Sequence, residues 1–145
     1  MPSETPRILL VDDDLTLLRL LMQLMEQSGL KADCVTAASG AIGWREFQRA
    51  DFTLVITDLN MPGGDGRVLI DRIRTISRVP IIITTAMEED TLRYLCIDEI
   101  VNMAVLRKPF RAAAARDLIC EGLCGGFGDA TEQDDEHDVL IRPTA

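Results

Sequence analysis

The sequence predicts an α/β fold: a doubly wound parallel sheet of five strands in (βα)5 order. Three observations lead there. Short runs rich in Ile, Val and Leu alternate with longer segments whose apolar residues repeat at helical spacing. The strand candidates are apolar throughout, the pattern of strands covered by helices on both faces. Turn-forming or charged residues mark most junctions between them.

Residues 7–11, RILLV, are the first strand candidate. Residues 15–27 repeat Leu and Met as a helix does, and Gly29 supplies a C-terminal stop. DCVTA, residues 33–37, is a short strand. SGAIGWREFQRA, residues 39–50, is amphipathic with Ile42 and Phe47 inward, although Gly43 weakens the helix. FTLVITD, residues 52–58, is a strand that ends on an aspartate. MPGGDG, residues 61–66, is a loop in which Gly63, Gly64 and Gly66 can make a turn. Residues 66–77 are helical by period. PIIITTA, residues 80–86, is a strand introduced by Pro80, and 88–99 is a helix. AVLRK, residues 104–108, and FRAAAARDLICEGL, residues 110–123, are the fifth strand and helix. Beyond residue 124 the composition turns to glycine and acid, so 1–124 reads as one domain and 125–145 as an acidic, flexible tail. VLIRP, residues 139–143, is apolar enough to dock, and the sequence does not say where.

A length of 145 residues suits one core, and aromatics at 4 % leave aliphatic side chains to fill it. A net charge of −9 without a Lys/Arg cluster argues against nucleic acid as a partner. Cys34, Cys96, Cys120 and Cys124 form no C-x-x-C pair, and the single His137 lies in the tail. They read as buried free thiols of a reducing cytoplasm rather than a zinc site. MPSETPR does not start a signal peptide, and no apolar run reaches membrane-spanning length. The expected location is cytoplasmic, with no membrane partner.

In a parallel sheet of this kind ligands collect at the carboxyl ends of the strands. That edge gathers Asp12, Asp13 and Asp14 after the first strand, Asp58 after the third, Thr84 and Thr85 after the fourth, and Lys108 after the fifth. Clustered carboxylates stay ionised only around positive charge. Mg²⁺, with its preference for oxygen ligands and phosphate, suits them. One carboxylate can itself accept a phosphoryl group while the metal, an amine and a hydroxyl hold the transferring oxygens.

ILLVDDD, VITDLNMPGGDG, PIIITTA and LRKPF resemble the receiver domains of two-component response regulators, over residues 7 to about 122. The resemblance implies a stand-alone flavodoxin-like receiver with Asp58 as phosphoacceptor. It implies Mg²⁺ on Asp12, Asp13, Asp58 and the backbone carbonyl of Asn60. It assigns Thr85 as the switch hydroxyl and Lys108 as the phosphoryl partner, with a cis bond before Pro109. The phosphoryl donor is then a phosphohistidine on a sensor histidine kinase or a phosphotransfer protein, and a downstream protein binds the switched form. Such a chain catalyses only its own phosphorylation and dephosphorylation and is not otherwise an enzyme.

A rival reading takes DDDLT as D-x-D-x-T. That resembles the first motif of haloacid-dehalogenase-like phosphatases, with Asp12 as nucleophile and Asp14 as acid/base. IIITT would be their second motif and Asp134–Asp135 the late acidic pair. This reading leaves TDLNMPGGDG unexplained. Asp14 also suits a plainer use, as N-cap of the first helix.

Two departures from the receiver pattern stand out. Val105 occupies the position where most receivers carry an aromatic or histidine, and Ile100, Val101 and Asn102 replace the usual Gly-Ala turn. Phosphorylation is then expected to act on the output face differently, by ordering 86–104. Met87 lies two residues after Thr85 and can neither orient water nor act as a base, which predicts slow loss of the phosphoryl group.

Overall fold

A computed structural model describes residues 5–61, 66–86 and 102–127 and the backbone of 139–141. The expected helix over 88–99, Met87, Cys96, Ile100, Val101, Gly63, Gly64 and most of the tail lie outside these residues.

The strands are β1 (Arg7–Val11), β2 (Asp33–Ala37), β3 (Leu54–Asp58), β4 (Ile81–Thr85), β5 (Met103–Arg107) and β6 (Val139–Ile141). The helices among the described residues are α1 (Leu15–Gln27), α2 (Gly40–Phe47), α3 (Gly66–Ile76) and α4 (Ala112–Leu123). The sheet order is β2-β1-β3-β4-β5-β6. The first five strands are parallel, as expected. The sixth, which the sequence reading left in the tail, pairs antiparallel with β5.

The sheet is doubly wound because both of its faces are apolar. Leu9, Val11, Val55, Ile81, Ile83, Met103 and Val105 face one layer, which holds Phe47 of α2 and Leu69, Ile70 and Ile73 of α3. Ile8, Leu10, Leu54, Ile56, Ile82, Ala104 and Leu106 face the other, with Leu18, Leu21 and Met25 of α1 and Leu118 and Ile119 of α4. Successive residues of one strand point to opposite faces, so an unbroken apolar run fills two cores.

The starts of α1 and α2 follow the capping chemistry. The Asp14 carboxylate accepts the Thr16 and Leu17 N–H groups at 3.0 and 3.3 Å, and Ser39 Oγ accepts the Ile42 N–H at 3.2 Å. Gly29 follows the Ser28 C-cap of α1 at φ +74°, a left-handed position that suits glycine.

Three expectations need correction. Ile42 is 38 % exposed rather than inward. Gly43 is buried in its place, where an added Cβ would lie 3.0 Å from Val11 and 3.2 Å from Leu69. The thiols are not fully buried: Cys34 and Cys120 are half-buried and Cys124 is exposed. The folded part does not end at 124, because Phe127 is 1 % exposed.

At the amino edge of the sheet Asn102 sits at φ +58°, a region that asparagine tolerates better than most residues. Its carbonyl accepts an Arg74 N–H at 3.1 Å, its amide donates to the Arg78 carbonyl at 2.7 Å, and its Oδ1 accepts the Phe127 N–H at 2.6 Å. One residue thus ties the α3–β4 connection, the entry to β5 and the exit from α4.

Candidate functional site

The carboxyl edge carries the polar residues. Parallel pairing of β1, β3, β4 and β5 brings their last residues side by side although they are far apart in sequence. Asp12 is 2 % exposed and Asp58 is 7 % exposed, while Asp13 lies open at the mouth. Carboxylate oxygens of Asp12, Asp13 and Asp58 all lie within 4.8 Å of one another. Lys108 Nζ donates to Asp12 Oδ2 at 2.8 Å and pairs with Asp58 Oδ2 at 3.4 Å. The Lys108–Pro109 bond is cis, as the resemblance implied.

Backbone groups hold the acids in place. The Asp14 N–H donates to Asp12 Oδ1 at 2.8 Å, and the Asn60 N–H donates to Asp58 Oδ1 at 3.2 Å. The Lys108 N–H donates to the Thr85 carbonyl at 2.7 Å, which fixes the turn after β5 against the end of β4. Thr84 and Thr85 are both buried, and Asn60 is exposed.

The electrostatics are those of a site short of positive charge. Burial pushes the Asp58 carboxyl above the usual carboxylate range, Lys108 and the Asn60 N–H oppose that, and Asp12 adds to it. Burial works against the Lys108 charge, but the bonds to Asp12 and Asp58 outweigh it and raise the ammonium. One lysine among three carboxylates leaves room for a further cation. The donors are oxygens only, which suits a hard divalent ion such as Mg²⁺.

Gly66 is part of the site's support, a role the turn reading missed. It opens α3, where the helical period over 66–77 begins, and its N–H donates to the Leu59 carbonyl at 3.2 Å. A Cβ there would run into the Asp58 carbonyl oxygen and lie 2.8 Å from that of Leu59. Gly66→Ala is therefore expected to push α3 off the end of β3, at a cost of about 1–3 kcal/mol or more in urea unfolding.

The profile of the response regulator receiver domain matches residues 8–119. The chain belongs to that family. It is a receiver domain of two-component signalling, with the five-stranded parallel fold expected of one. It is 33 % identical over 146 residues to the response regulator protein FleR of Pseudomonas aeruginosa, covering 96 % of this chain and 28 % of FleR. It is 36 % identical over 104 residues to the CpxR homolog of Haemophilus influenzae, covering 72 % of this chain and 44 % of that protein. This receiver thus spans less than half the length of these curated relatives. A response regulator receiver domain protein from Clostridium thermocellum superposes with a TM-score of 0.71 at 29 % identity, covering 82 % of this chain and 94 % of that one. The chemotaxis response regulator CheY4 of Vibrio cholerae superposes at 0.72 with 22 % identity, covering 83 % and 100 %.

The phosphatase reading is overturned. Family membership excludes it, and the Asp14 carboxylate is spent capping α1. Asp134–Asp135 lie outside the described residues. Val105, where most receivers carry a ring, is fully buried.

Beside the receiver's acidic site lies an apolar groove of about 600 Å³ between α1 and the β5–α4 turn, lined by Leu17, Leu20, Leu21, Leu24, Pro109 and Phe110. Leu20 is 55 % exposed at its rim. No helix of the described residues is long and apolar enough to cross a membrane.

Proposed function

We propose that this receiver takes a phosphoryl group onto Asp58 from a phosphohistidine donor and thereby switches the binding of a protein partner. The observation that supports it is the closeness of the Asp58 carboxylate to Asp12, Asp13 and Lys108. An Asp58 oxygen attacks phosphorus as the P–N bond to the donor imidazole breaks, and the leaving nitrogen keeps the bonding pair. Lys108, already shared between Asp12 and Asp58, shifts toward the new charge. The Thr85 hydroxyl binds a second phosphoryl oxygen.

Asp12, Asp13, Asp58 and the Asn60 carbonyl would hold Mg²⁺, which when bound offsets the charge on the carboxylates and the transferring group. The groove beside α1 and Pro109 suits an apolar helical face of the donor, a sensor histidine kinase or a phosphotransfer protein. The chain turns over no substrate beyond its own phosphorylation and dephosphorylation. A cytoplasmic location would keep its free thiols reduced.

Incubation with acetyl phosphate and Mg²⁺, followed by mass-spectrometric mapping, is expected to place the phosphoryl group on Asp58. EDTA should abolish uptake. Labelling of another residue, or uptake indifferent to EDTA, would sink the assignment.

A further inference from the structure

β5 is the last of the parallel strands and would be the edge of the sheet without β6. Met103, Ala104, Val105 and Leu106 are all buried, and no charge or proline interrupts them before Arg107. Such a strand invites pairing unless something covers it. The cover is the chain's own β6.

That cover is small. β6 has three residues, and its register with β5 pairs Val105 with Ile141 and Leu106 with Val139, with a shift between them. Among the described residues the pairing reaches two of the five β5 positions. Pro143 follows two residues after Ile141 and has no N–H with which to extend the ladder.

The cover is also separable. Phe127 is buried at 1 % exposure and pinned to Asn102. Eleven residues, 128–138, join it to Val139. β6 can leave β5 without drawing out α4 or Phe127. While tethered it sits at an effective concentration in the millimolar range, enough for a short strand to hold its place.

We propose that the β5 edge is a docking site for an extended aliphatic segment of a partner protein, and that β6 is its resident competitor. The chemistry of the partner follows from that of the occupant: a Val-Leu-Ile-like strand added antiparallel. A partner strand that pairs along the whole of Met103–Arg107 outcompetes β6, because it adds backbone bonds beyond the two positions that β6 pairs among the described residues. The docking edge ends one residue before Lys108, so the surface adjoins the acidic site.

The test uses the full chain carrying Val139→Pro and Ile141→Pro, and a fluorescein-labelled peptide of residues 137–145 with Pro143→Val. In the variant the Val105 amide, which faces β6, is expected to exchange with deuterium roughly tenfold faster or more, while the Leu106 amide, which faces β4, and the β1 and β3 amides keep their protection. The peptide should bind the variant at least about tenfold more tightly than the unsubstituted chain and restore β5 protection. Ile141→Pro alone should give intermediate values for both. Unchanged β5 exchange in the double variant overturns the proposal, as does equal peptide binding to both chains or none to either. Self-association of the variant that excludes the peptide overturns it too, by making a second copy the occupant.

Discussion

Asp58→Asn is expected to abolish phosphoryl uptake from acetyl phosphate while leaving a folded protein that melts at a higher temperature at pH 7. The first effect follows from losing the oxygen proposed to attack phosphorus. Amide nitrogen does not replace a carboxylate nucleophile, and Asp12, held by Lys108 and the Asp14 N–H, is not free to take its place. The second effect follows from the sign of the Asp58 shift. Its carboxyl is raised above 3.8 chiefly by burial, so the folded state binds the proton more readily than the unfolded chain. Stability falls as pH rises through the window above 3.8, so a penalty is present at neutral pH. Removing the charge removes the penalty. Below 3.8 both states carry the proton, and the difference between variant and parent should disappear. Mg²⁺ should stabilise the parent and close part of the gap at pH 7, because it binds the native carboxylates. Thermal unfolding at pH 3.5 and 7, with and without Mg²⁺, reads all of this. A variant less stable than the parent at pH 7 would mean that Asp58 is held by its partners more strongly than burial opposes it.

Phe127→Ala is expected to lower stability by about 3–5 kcal/mol, the usual loss for a buried phenyl ring. The melting temperature should fall by roughly 10–20 °C. Phe127 packs in the layer formed by α1 and α4, and an added Cβ on Gly122 would lie 3.1 Å from its ring. The ring therefore closes the space left by a residue without a side chain. Asn102 fixes the Phe127 backbone and sits at the start of β5, so the loss should also loosen that strand. Phe127→Leu keeps most of the volume and should cost about 1 kcal/mol. Urea unfolding separates the two variants. A loss below 1 kcal/mol for Phe127→Ala would show that α4 closes its layer without the ring.

Much of the site was legible because its residues are polar where strands are apolar. Asp12, Asp58, Thr85 and Lys108 each interrupt or end an unbroken apolar run, and one rule about parallel sheets sends them all to the same edge. The N-cap role of Asp14 was legible for a similar reason, since capping depends on neighbours in sequence. Two of the misreadings turned on glycine. The buried stripe of α2 is Gly40, Gly43 and Phe47, and two of these residues carry no hydrophobic signal. The period was therefore drawn through Ile42, which stands at the edge of the stripe. Gly66 was hidden likewise: its role is the space it leaves beside the Asp58 carbonyl, and only packing defines a space.

The sequence by itself determined that this chain makes a parallel sheet with helices on both faces and an acidic edge at the carboxyl ends of its strands. Periodicity, capping and charge are local and act before the chain is folded. Only the tertiary structure decided how the 2.8 Å and 3.4 Å contacts divide Lys108 between Asp12 and Asp58, that Asn102 anchors Phe127, and that Val139–Ile141 close the β5 edge. Those contacts join residues from 25 to 96 positions apart, whose distances exist only once the strands have taken their order.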